Sequence, residues 1–156
     1  MRNMLTRRIA QNLTGQTAAI LMVSSLAMAT PAAAEPFSDL ASAVNNARSG
    51  SHCPPLQADP MVARVAQMAN RETNEYLSHR QPVIPFSDPM PALKTIGYAA
   101  SEAKLLSGYG TSHSEAIRGL LLTGHATLPD CAYTKYGLDV AEGDGFVMTS
   151  VVLAKQ

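Results

Sequence analysis

The chain has no tryptophan and only three phenylalanines. A core made from it must rest on aliphatic side chains and on small residues that let backbones approach closely. Charged residues are sparse, at 15% of 156 positions, and no Lys/Arg cluster follows residue 8. That removes the electrostatic footprint expected of a nucleic-acid binder or of a protein held on an anionic membrane surface. The longest apolar run, within residues 17–29, is shorter than the roughly 20 residues of a membrane span. There is no C-x-x-C pair, no G-x-S-x-G elbow and no internal repeat, so a zinc finger, a dithiol redox motif and a serine-hydrolase nucleophile turn are all unsupported.

The first 34 residues are the most informative feature present. Arg2, Arg7 and Arg8 precede an uncharged segment centred on Ile20, Leu21, Met22 and Val23, and Pro31-Ala32-Ala33-Ala34 supplies small residues for cleavage. This three-part pattern predicts a secretory signal peptide over residues 1–34 and one mature domain over residues 35–156. The expected location is extracellular or associated with the cell envelope. The mature part keeps nine basic against twelve acidic residues, again unlike a nucleic-acid partner, and contains no membrane span. Both cysteines, Cys53 and Cys131, fall in it. In an exported chain two cysteines pair far more often than not; two buried thiols, or pairing between molecules, are the alternatives.

Residues 37–47 place Phe37, Leu40, Ala41, Val44 and Ala47 on one helical face, with Gly50 as a stop. Asp59-Pro60 reads as N-cap and first turn of a second helix whose inner face is Val62, Val65, Ala66, Ala69, Thr73 and Tyr76 and which runs to about His79. The proline-rich stretch 81–91 reads as a loop, followed by a short helical turn over 91–96 closed by Gly97. Residues 98–110 are ambiguous. Ser112-x-x-Glu115 is a capping-box pattern ahead of Ile117, Leu120 and Leu121. Two β-rich runs, 136–141 and 146–154, flank a four-residue loop, 142–145. Helices first and a hairpin last predict an α+β domain, with helices packed on a small antiparallel sheet.

With these elements placed, the chain resembles the CAP superfamily, or SCP-like domain, in its exported bacterial branch. The cues are Val44-Asn45-Asn46-Ala47-Arg48; Pro55-Leu56-Gln57-Ala58-Asp59-Pro60 with Val65-Ala66-Gln67; and Tyr76-Leu77-Ser78-His79. They continue through Gly97-Tyr98 with Ser101-Glu102-Ala103, and end with Ser114-Glu115-Ala116-Ile117, Gly124-His125 and Tyr133-Thr134-Lys135-Tyr136-Gly137. The resemblance implies a CAP-like α-β-α sandwich.

It also implies a cleft holding two histidines and two glutamates. Matched residue by residue, His79, Glu102 and His125 fall on three of those positions. The fourth would lie in residues 119–123, which contain no Asp or Glu. The family's Gly-Glu-Asn is here Ser101-Glu102-Ala103, and the tryptophan usual on the fourth helix is missing. Two imidazoles and a carboxylate would suit Zn²⁺ with an open position for water, through His79 and His125 above all, or a hydrogen-bonded acid–base cluster without metal. The plainer expectation is a helix-end His79, a loop His125 and a solvated Glu102. His52 and His113 are expected at the surface, Asn45 and Arg48 as ties between the first helix and neighbouring loops, and Met61, Met68 and Met148 in the core.

Two functions follow from the resemblance. The first is a non-enzymatic exported domain that needs no cofactor and binds a lipid, a cell-envelope component or a protein partner. The second is a metal-dependent hydrolase or peptidase using His79, Glu102 and His125. The missing acid favours the first, because an activated water needs a base beside it.

Overall fold

The computed structural model describes residues 36–156; the expected signal peptide, residues 1–34, lies outside them. The chain order is α1 (Pro36–Ser49), β1 (Gln57–Ala58), α2 (Pro60–Leu77), α3 (Met90–Thr95), β2 (Glu102–Gly110), α4 (His113–Gly124), β3 (Lys135–Gly143) and β4 (Phe146–Lys155). Helix α2 starts where its cap chemistry requires. Asp59 Oδ1 accepts from the N–H groups of Met61 (2.9 Å) and Val62 (3.3 Å), and Pro60 takes the first turn, where a missing N–H costs nothing. Helix α4 is capped by Ser112, whose Oγ accepts from the Glu115 N–H at 3.3 Å. Glu115 reaches back one residue further than a capping box, to the N–H and hydroxyl of Thr111. Those bonds hold its carboxyl below the usual carboxylate range.

The four strands form one sheet in the order β1-β3-β4-β2. The expected hairpin is β3–β4, and β2 pairs antiparallel with β4 on its other side. The sheet is mixed rather than antiparallel, because the two-residue β1 pairs parallel with β3. The hairpin loop is also tighter than expected. Asp144 (φ 38°) and Gly145 (φ 84°) alone make the turn, and both positive φ values match a twisted two-residue hairpin connection. The undecided stretch 98–110 supplies strand β2.

Strand β4 is buried along almost its whole length and divides the core into two layers. Val151 and Leu153 pack with Leu40, Val44 and Leu120 beneath α1 and α4. Val152 and Ala154 point the other way, to Val62, Val65 and Leu93 beneath α2 and α3. The result is an α-β-α sandwich. Met148 is buried, and Met61 and Met68 pack against the α2 layer, as expected. With few large aromatics, the layers close by backbone contact. A Cβ on Gly137 would overlap the main chain of Val62 and Ala63, and one on Gly108 would overlap Ala116 and Leu120. Gly143 lies against the side chain of Asn74, so α2 runs along β3 with its C-terminal end at the hairpin.

Cys53 and Cys131 form a disulfide across 78 residues, with Cα atoms 5.0 Å apart. It joins the loop after α1 to the loop before β3. Arg48, only 2% exposed, binds the same two loops. Its guanidinium donates to the carbonyls of Pro54 (3.1 Å), Leu128 (2.9 Å), Asp130 and Tyr133 (2.9 Å). Arg48 is thus a tie between the first helix and neighbouring loops, while Asn45 is exposed.

Candidate functional site

Each of the three family-matched residues has a definite place. His79 follows the C-cap of α2 with φ 54°, the left-handed conformation of a helix end, and its N–H donates to the Tyr76 carbonyl at 3.0 Å. It is exposed and lines a shallow groove of about 460 Å³ with Tyr76, Leu77, Gln81 and Pro82. Because α2 ends beside Gly143, His79 sits at the hairpin end of the sheet, on the α2 face.

Glu102 is the first residue of β2 and pairs with Lys155, at the end of the sheet away from the hairpin. The strand alone covers roughly 25 Å at the rise of an extended chain, so Glu102 and His79 mark opposite ends. The Glu102 carboxylate is engaged: its Oε1 accepts from the Tyr133 hydroxyl at 2.9 Å. Tyr133 is buried and bonds Arg48 through its carbonyl, so Glu102 anchors the start of β2 to the Arg48 junction. Burial first, then the Glu102 hydrogen bond and charge, push the Tyr133 hydroxyl up to about 12.

His125 caps the C-terminus of α4, is exposed, and has Nδ1 2.9 Å from the Leu122 carbonyl. Helix α4 lies on the face opposite α2. His125 therefore shares a face with Glu102, while the sheet separates it from His79. The expected convergence of His79, Glu102 and His125 in one cleft is not what the fold produces. Among the described residues no group of three His, Cys, Asp or Glu side chains is placed to hold a metal ion, so the donor set does not fit the zinc site that the resemblance implied.

Two polar features were not legible beforehand. In the α2 layer, Asn70 donates to Asp139 Oδ2 (2.8 Å) and accepts from the Ser150 hydroxyl (2.7 Å). Burial raises the Asp139 carboxyl, and the Asn70 bond opposes that shift. The second is His113, expected at the surface but partly buried, with Nε2 3.0 Å from Glu142 Oε1, linking the start of α4 to the hairpin. His52 is exposed. Asn70 lies on the inner face of α2, where the 3.6-residue period places it, but a lone buried amide announces no partner. A separate apolar groove of about 280 Å³ opens beside β1, lined by Phe37, Ala58, Pro60, Ala63, Tyr136 and Leu138 among others.

The layer order and the two helical faces make an α-β-α sandwich on a small mixed sheet. The chain has that fold, as its resemblance implied. A cysteine-rich secretory protein from Staphylococcus aureus superimposes with a TM-score of 0.56 at 16% identity, over 78% of this chain and 39% of that one. This chain therefore spans well under half of that protein. An outer surface protein from Borrelia burgdorferi matches with a TM-score of 0.64 at 15% identity, over 78% of this chain and 93% of that one. No protein-family model and no curated protein sequence matches the chain.

Proposed function

We propose that this chain is an exported CAP-like domain that acts by binding a lipid, a cell-envelope component or another protein, and not by hydrolysis. One observation carries the reading: the two histidines that would have to share a water or an ion stand on opposite faces of the sheet. A zinc-bound or base-activated water needs its ligands and its base within one coordination shell. Glu102 is occupied by Tyr133 and lies far from His79. The signal-peptide pattern at residues 1–34 supports export, and no helix among the described residues is long and apolar enough to cross a membrane.

The test is an assay of the mature protein, residues 35–156, on casein and on peptidoglycan fragments with added Zn²⁺. Wild type is compared with His79→Ala and His125→Ala. Equal background rates in all three are expected. Turnover in wild type that disappears in both variants would establish the hydrolase reading instead.

A further inference from the structure

The edge of β3 beyond β1 has the chemistry of a strand-accepting site. Strand β1 pairs with β3 only at Gln57–Lys135 and Ala58–Tyr136, and the chain then turns away at Asp59 into α2. The N–H groups of Gln57 and Asp59 donate to the carbonyls of Thr134 (2.9 Å) and Tyr136 (2.8 Å), which fixes the even-numbered residues as those facing the β1 side. The β3–β4 register runs without a bulge from Lys135 to Gly143. Alternation therefore turns the N–H and C=O groups of Leu138, Val140 and Glu142 to the same side, where β1 no longer reaches and no other strand lies among the described residues. The apolar groove opens at this point, with Leu138 and Ala63 in its walls and Phe37, 53% exposed, at its rim.

We propose that the β3 edge binds an extended segment of another polypeptide, added to the sheet as a strand where β1 stops, with one apolar side chain seated in the Phe37–Pro60–Leu138 groove. This rests on the binding reading above and specifies its partner as a peptide strand. The complementarity is between backbones. A row of outward donors and acceptors at strand spacing recognises an extended main chain, and the groove selects one side chain of it. A lipid would fill the groove but make no use of the main-chain donors and acceptors of β3. Edges left open in this way are usually blocked by charge, bulges or proline; no bulge or proline interrupts residues 137–142, and of the two carboxylates there Asp139 is held inward by Asn70 while Glu142 lies against His113.

The test uses ¹⁵N-labelled mature protein and a soluble, acetylated six-residue peptide of alternating valine and threonine. Amide shifts are expected at Leu138, Val140 and Glu142 and around the groove. A peptide of the same sequence N-methylated at alternate residues on its pairing edge is expected to weaken binding at least tenfold. Ala63→Arg, a change in the groove wall that fills the groove, is expected to do the same while leaving the amides of β2 and α4 unchanged. Absence of shifts at millimolar peptide, shifts along β2 instead, or equal binding of the methylated peptide would each overturn the proposal. Concentration-dependent shifts of the same three amides without peptide, with a doubled mass in sedimentation, would assign the edge to a second copy of this chain instead. None of these outcomes alters the hydrolysis assay, so the two readings fail separately.

Discussion

Arg48 on α1 donates through Nη1 to the main-chain carbonyl of Leu128, 80 residues away, at 2.9 Å. With the bonds to Pro54, Asp130 and Tyr133, one side chain satisfies carbonyls in both loops that the Cys53–Cys131 disulfide joins. Burial lowers the Arg48 pKa, and nearby Asp130 opposes that shift, but the guanidinium stays charged and its hydrogen bonds are the strong, charge-assisted kind.

Arg48→Ala is expected to destabilise the domain by about 3 kcal/mol, because it leaves buried carbonyls without donors. Arg48→Lys recovers little, since an ammonium cannot span four acceptors in a fork. Replacing both cysteines by serine removes a long covalent loop, worth about 4 kcal/mol in the chain-entropy model. The two changes act on one junction, so urea denaturation should show their effects to be non-additive. Simple additivity would mean the staples are independent.

Gly137→Ala should cost about 3 kcal/mol or more, because the added methyl meets the α2 main chain, which cannot yield as a side chain would. Gly50→Ala is the control, as its nearest neighbour would be the Ala47 carbonyl oxygen at 3.8 Å. Thermal melts of the two variants are expected to differ by many degrees.

Tyr133 should titrate late. Its hydroxyl is pushed up to about 12, so the neutral phenol is favoured in the folded state. The stability it contributes is complete below the ordinary value of about 10 and is lost as pH rises towards the folded value. In an ultraviolet phenolate titration one tyrosine should ionise after the others. Glu102→Gln should lower its pKa without returning it to normal, because burial is the leading cause.

Asp139 shows the same sign in the carboxylate range. Its folded pKa lies above the ordinary value, so ionising it costs stability. The stability of wild type relative to Asp139→Asn should fall as pH rises from the ordinary carboxylate range through the raised value. A flat difference across that window would show that Asp139 is not desolvated.

The helices were legible because their signals are local. Asp59-Pro60, Ser112 with Glu115, and the spacing Leu40–Val44–Arg48 each act within one or two turns. The long strand β2 was not, because Gly108 and Gly110 sit in it for contact with α4, and its alternation shows only once a helix covers one side. Strand β1 has two residues and carries no period. The disulfide was expected from compartment and count alone. The candidate site misled because three matches to a family position say nothing about which side of the sheet each residue occupies. That depends on α2 running towards the hairpin, which the glycines Gly137 and Gly143 set through long-range contact.

The separation of His79 from His125 is tested most directly by titrating Zn²⁺ into ¹⁵N-labelled protein of residues 35–156 while following the imidazole nitrogens. Two histidines on opposite faces of the sheet cannot share one ion. The expected result is that the two rings respond independently, if at all, and that His79→Ala leaves the response of His125 unchanged. Both rings shifting together at one equivalent of zinc, with the His125 response abolished by His79→Ala, would contradict the account and restore a shared metal site.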